Sequence, residues 1–164
     1  MILVTLGTND KKFTRLLDAV EQAIHEGAIT GKVVVQAGFT EYESSDMEVI
    51  AYIDQQKFAE YMNQADLIIT HGGVGTIMTA LREKKKILAA ARLAKYHEHV
   101  NDHQTQLLES FEQAGYLIYM RDLTDIRPYL KQAETFEPKP YVSQRDHMVS
   151  LIENWIDQDQ HAEH

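Results

Sequence analysis

Short apolar runs alternate along this chain with stretches in which apolar residues return every three or four positions. The runs cover residues 2–6, 32–36, 48–53, 66–70, 86–90 and 116–120. Turn residues such as Gly7, Gly31, Gly38 and Gly115 bound them, and they read as strands. Between them, Phe13, Leu16, Leu17, Val20 and Ile24 keep the i, i+3, i+4, i+7 spacing of an amphipathic helix, as do Leu107, Leu108 and Phe111. Shorter helices are expected over residues 58–64, 75–83 and 123–130. An apolar face made by Met148, Leu151, Ile152, Trp155 and Ile156 predicts a terminal helix docked on the sheet. Residues 131–141, which hold two of the three prolines, read as a connector. Strands and helices in alternation predict an α/β fold, a Rossmann-like open parallel sheet of about six strands flanked by helices.

A chain of 164 residues fits one domain, expected over residues 1–158, with the polar end 159–164 disordered. The net charge of −9 argues against a nucleic-acid partner, because a duplex binder needs a basic face to displace counterions. With no cysteine, disulfides and thiolate metal sites are excluded, and a cytoplasmic setting is the default. The apolar N-terminal run breaks at Gly7, far short of a signal peptide or a bilayer span. Membrane contact is therefore expected to be peripheral or provided by a partner.

The chemistry gathers where strands meet helices. "THGGVGTIMTAL", residues 70–81, carries a strand into a helix through three glycines. Such a turn brings backbone N–H groups to a helix N-terminus, where the dipole favours an anion and glycine lets a phosphate approach. His71 stands ready to donate to the same phosphate, and Thr76 to cap the helix or add a hydroxyl contact. The same glycines also serve a mere tight turn, and spacing alone does not choose between the two. A second glycine-hydroxyl turn, "LGTND", closes the first strand. Two such turns at the carboxyl edge of one sheet point to a diphosphate held between them. Neither turn fits the dinucleotide or Walker pattern, which weakens those two readings and makes a nucleotide-sugar the better expectation.

These pieces resemble a family. "THGGVGTIMTALREKKKILAAAR" followed by "HVNDHQTQLLESFEQAGY" is similar to the C-terminal, donor-binding half of GT-B glycosyltransferases of family 28, which includes the lipid II GlcNAc transferase MurG. The opening "VTLGTNDKKFTRLLDAV" and "YIDQQKFAEYMNQADLIITHGG" strengthen the match. The small single-domain members look most similar: PssE-type exopolysaccharide subunits and the catalytic subunit of the dolichol-linked chitobiose synthase. The resemblance implies donor-diphosphate contacts at His71, Gly72, Gly73, Gly75 and Thr76, with Gly7 and Thr8 facing the same phosphates. It implies uracil recognition by the backbone at Tyr52 and Ile53, and donor-sugar contacts at Asp102 and Gln104, with His103 between them. The chain departs from the family at Thr79, where many relatives carry a ribose-binding glutamate, and at Lys84-Lys85-Lys86, where relatives often read Gly-Lys-Pro.

The implied reaction is inverting transfer from a UDP-sugar, with leaving-group charge stabilised by helix N-termini, His71 and Thr76. No metal or other cofactor is expected. No residue of this chain stands out as the general base, which the resemblance places on a membrane-associated partner subunit that supplies the acceptor-binding half. The expected acceptor is a lipid-linked saccharide in bacterial exopolysaccharide or capsule synthesis, the expected place the cytoplasm at the inner face of the membrane. In isolation the chain is a candidate homo-oligomer through the partner's surface. A non-catalytic regulatory subunit that binds nucleotide-sugar is the alternative, kept open by Thr79. Epimerase-like chemistry would need acidic groups that the sequence does not display. His97, His99 and His103, with Glu98 and Asp102, lack the H-E-x-x-H pattern and read as a polar loop rather than a metal site. His25 and His147 read as surface residues. The "REKKK" run reads as a solvated helix end, with a lipid headgroup as its other possible partner.

Overall fold

The computed structural model describes residues 1–7, 12–93 and 103–140. Within them, six parallel strands, β1 (Ile2–Thr5), β2 (Val33–Gln36), β3 (Glu48–Ile50), β4 (Leu67–His71), β5 (Lys86–Ala90) and β6 (Ile118–Tyr119), form one sheet in the order β3-β2-β1-β4-β5-β6. Five helices connect or flank them: α1 (Thr14–His25), α2 (Gln55–Gln64), α3 (Val74–Arg82), α4 (His103–Gln113) and α5 (Arg127–Thr135). The strands read as continuous apolar runs because both faces of the sheet are covered. Leu3, Ile68 and Ile87 pack with Met62, Ile77 and Phe111 on one face. Their neighbours Val4, Ile69 and Leu88 pack with Leu16, Val20 and Ala133 on the other. No helix among the described residues is long and apolar enough to cross a membrane.

The strand order fixes where a ligand fits. The chain proceeds outward from β1 to β2 and β3, then returns to lay β4 on the other side of β1. The connections leaving β1 and β4 therefore diverge, and a crevice opens between their carboxyl ends. The register Thr5↔Thr70 sets the two strand tips level, and the two hydroxyls share a buried hydrogen bond of 3.0 Å.

Two expectations need correction. The helix expected over residues 123–130 begins only at Arg127 and runs to Thr135, so the first part of the expected connector 131–141 is helical. Leu123 and Ile126 are instead buried in the approach to α5. The Asp125 carboxylate accepts the Arg127 N–H at 3.0 Å and Pro128 occupies the first turn, both helix-starting devices. The lysine run is likewise no free patch. Lys85 Nζ donates to the carbonyls of Asn63, in the last turn of α2, and Ala65, just past its end (3.0 and 2.9 Å), and Lys86 Nζ to Ala133 and Glu134 in the last turn of α5 (2.8 and 3.2 Å). Two of the three ammonium groups thus satisfy carbonyls left over by helix ends, which leaves little of the run for a lipid headgroup. The terminal helix and the polar tail lie outside the described residues.

Lys84 closes α3 with φ 57°, a left-handed conformation that costs an L-residue about 1–2 kcal/mol. Relief of that strain outweighs the greater unfolded-state freedom of glycine. Lys84→Gly is thus expected to raise stability by about 0.5–1 kcal/mol in urea unfolding. A loss of stability would show that the lysine stem contributes packing worth more than the strain.

Candidate functional site

The first-strand turn and the end of β4 meet around one imidazole. Gly7 leaves β1 with φ 70°, a region that admits glycine readily. His71, the last residue of β4 and 7% exposed, projects its ring between Gly7 and Gly73. A Cβ on residue 7 would collide with His71 Nε2 and stand 2.8 Å from Cε1, and one on residue 73 would stand 2.5 Å from Nε2. The glycines form a slot that fits the ring edge-on. Behind the ring, Arg92 Nη1 lies 3.0 Å from His71 Nδ1, while Arg92 Nη2 donates to the Leu6 carbonyl at 2.9 Å. The guanidinium also sits 5.2 Å from the centroid of Phe13.

Gly73 is the N-cap of α3 and offers no side-chain cap; no acidic residue occupies the first turn. Thr76 therefore does not cap the helix, because it lies inside the first turn. The N–H groups at the start of α3 have no intrahelical acceptors and open toward the same space as His71. Thr79, one turn on, donates its hydroxyl to the Gly75 carbonyl at 3.0 Å, a back-bond within the helix.

The far wall comes from the β3–α2 connection. β3 stops at Ile50 rather than running to residue 53, since Ala51 onward bends out of the sheet, and Gly38 N–H follows it by donating to the Ala51 carbonyl at 3.0 Å. Asp54 then caps α2 by accepting the Lys57 N–H at 2.8 Å, which holds Tyr52 and Ile53 in place. Tyr52 is 76% exposed, whereas Ile53 is buried.

Together these elements enclose an open cleft of ≈ 770 Å³, within the size range of small-molecule sites. Gly7, Tyr52, Ile53, His71, Gly73, Gly75 and Thr76 line it, seven of the residues expected from sequence, joined by Gln36, Gln55 and Phe58. A second cleft of ≈ 590 Å³, beside Arg15, Asp18, Arg121 and Asp122, contains none of the expected residues. Gly72 is buried behind the turn, and a Cβ there would stand 3.2 Å from Gln104 Cδ. Gln104 thus backs the glycine turn from the start of α4 instead of lining the cleft, and its buried Oε1 meets no donor among the described residues. Thr8 and Asp102 lie outside the described residues, as do His97, Glu98, His99 and His147. His25, expected at the surface, is exposed and pairs with Asp46 at 2.7 Å.

Sequence reading missed Arg92, Gln36, Gln55 and Phe58. Arg92 had a usable signal: it directly follows the apolar run 87–91, so a charge is driven to the tip of a central strand. The glutamines and Phe58 carry no such mark, since their role depends on how β2, β3 and α2 are set beside one another. Chemically the cleft presents donors at its β1–β4–α3 end and an aromatic and amide wall on its β3 side, features suited to an elongated ligand with an anionic segment and a planar end.

The glycosyltransferase family 28 C-terminal domain matches residues 1–153. The UDP-N-acetylglucosamine transferase subunit ALG13 of Candida albicans is 21% identical over 113 residues, which are 69% of this chain and 37% of that protein. The chain thus spans little more than a third of that relative. The solution structure of ALG13 superposes with a TM-score of 0.58 at 19% identity, covering 86% of this chain and 88% of that one. The calicheamicin glycosyltransferase CalG4 does so with a TM-score of 0.61 at 19% identity, covering 82% of this chain and 33% of that one. At these identities the structural likeness establishes the fold.

Proposed function

This chain belongs to the family of glycosyltransferase family 28 C-terminal domains, and we propose that it is the donor-binding, catalytic subunit of an inverting UDP-sugar-dependent glycosyltransferase. The observation that carries this reading is the convergence of Gly7, His71 and the uncapped start of α3 on one cleft at the switch point of the sheet. A diphosphate placed there meets backbone N–H groups, the N-terminal end of a helix dipole and a histidine, all positioned before the ligand arrives.

In the proposed reaction an acceptor hydroxyl attacks the anomeric carbon as the bond from that carbon to the β-phosphate oxygen breaks. The oxygen departs with the electron pair, and the proton of the hydroxyl passes to a base. The α3 N–H groups, His71 and Thr76 stabilise the departing charge, so no metal is required in this scheme. Tyr52 and Ile53 hold the uracil, and Gln104 supports the turn from behind. The base and the acceptor, a lipid-linked saccharide, come with a membrane-associated partner at the cytoplasmic face. The relative ALG13 is a UDP-N-acetylglucosamine transferase subunit, which supports a partner and makes UDP-N-acetylglucosamine the first sugar nucleotide to try. The exopolysaccharide or capsule setting expected from sequence finds no support among these relatives.

Thr79 favours the second reading, a subunit that binds nucleotide-sugar without turnover, because its hydroxyl is engaged with Gly75 and cannot replace a carboxylate on the ribose. Calorimetric titration with UDP, GDP and UDP-N-acetylglucosamine, with and without magnesium, decides between the outcomes. UDP is expected to bind at least tenfold more tightly than GDP, independently of magnesium. Failure of every nucleotide, with or without the partner, would overturn the donor reading. Binding without transfer in the partner's presence would establish the regulator.

A further inference from the structure

We propose that Arg92 is a positioning residue for the anionic end of the cleft: it fixes His71 in the form that carries its proton on Nε2 and aims that donor at the ligand. The role in ligand binding rests on the diphosphate reading above, whereas the tautomer follows from this chain alone.

Arg92 is 1% exposed, the largest fully buried side chain among the described residues. Burying a guanidinium is costly unless its N–H groups find acceptors. One is His71 Nδ1 at 3.0 Å. A guanidinium only donates, so Nδ1 must present its lone pair, and the imidazole proton resides on Nε2. The opposite tautomer would set donor against donor at that distance. It would also turn a lone pair toward the space where a phosphate oxygen belongs. Nε2 is the atom held in the slot between Gly7 and Gly73, so the proton fixed by Arg92 lies where both glycine turns meet.

The other arm of the fork donates to the Leu6 carbonyl, one residue before Gly7. Arg92 follows β5 and thus reaches past the tip of β4 to β1, across three adjacent strands. One side chain fixes the histidine and the backbone turn relative to each other, and it places a fixed positive charge one imidazole ring behind the leaving phosphate. A lysine keeps the charge but loses the planar fork that serves both acceptors at once.

The test is the ¹⁵N spectrum of the His71 ring in the full chain, assigned by the signals lost in His71→Ala, together with UDP titration. Wild-type protein is expected to show a pyrrole-like Nε2 and a pyridine-like Nδ1. Arg92→Met should move both toward tautomer averaging and weaken UDP binding roughly ten- to a hundredfold, with Arg92→Lys falling between. A pyrrole-like Nδ1 or a doubly protonated ring in the wild type would overturn the proposal, as would a ¹⁵N pattern unchanged by Arg92→Met. Should Arg92→Met fail to fold, the wild-type spectrum and Arg92→Lys still decide the question. If the wild type shows the expected pattern yet binds no UDP, the tautomer assignment stands and the donor reading falls; if UDP binds and the pattern ignores Arg92, the reverse holds.

Discussion

Replacing His71 with alanine is expected to weaken UDP binding by about a hundredfold while changing the affinity for uridine less than threefold. The imidazole supplies a hydrogen bond to a charged group inside a largely enclosed slot, and such bonds are worth about 1.5–3 kcal/mol, or roughly ten- to a hundredfold in affinity. The upper end applies because the ring also props apart the two glycine turns. Its loss lets Gly7 and the start of α3 relax from the spacing that fits a phosphate. Stability should fall as well, by about 1–3 kcal/mol, since Arg92 Nη1 loses its imidazole acceptor in a buried setting. Uridine separates the two effects because it keeps the base and ribose contacts and lacks phosphate. Equal losses for uridine and UDP in calorimetry would mean that the substitution damages the cleft generally, and the assignment of His71 to the diphosphate would fall.

How much of this was legible in the sequence differs from element to element. The strands were, because a parallel sheet buried on both faces leaves uninterrupted runs such as Val33-Val34-Val35 and Leu67-Ile68-Ile69. The His71 turn was legible for a different reason: glycine is needed wherever backbone and imidazole approach this closely, and need of that kind leaves a residue type behind. α5 was misplaced because periodicity marks a buried face and not a helix start. Leu123 and Ile126 satisfy that periodicity while packing from a preceding loop, and the true start depends on Asp125 and Pro128. The lysine run misled because a charge in sequence reads as solvated. Only the tertiary arrangement puts the last turn of α5 and the carbonyls at the end of α2 within reach of Lys86 and Lys85. Arg92 shows in the sequence as a charge at a strand tip, but its partners do not, since its acceptors lie 21 and 86 positions away.

The glycine slot makes a sharper prediction, because the two glycines face the same ring for unequal reasons. Gly73 has φ −75°, which alanine adopts freely, so Gly73→Ala should cost only the collision with His71, about 1–3 kcal/mol as overpacking. Gly7 has φ 70°, and Gly7→Ala should cost a similar collision plus about 1–2 kcal/mol for a left-handed L-residue. It is therefore expected to be the more damaging, with a total of about 2–5 kcal/mol and loss of UDP binding. Removing the ring should dissect the two terms. In a His71→Ala background, Gly73→Ala should become nearly silent, whereas Gly7→Ala should retain its backbone penalty. Urea unfolding of the single and double variants measures this as a coupling energy of about 1–3 kcal/mol for each pair. Strictly additive costs would show that the glycines answer to something other than the imidazole, and the slot would lose its claim to hold the histidine in place.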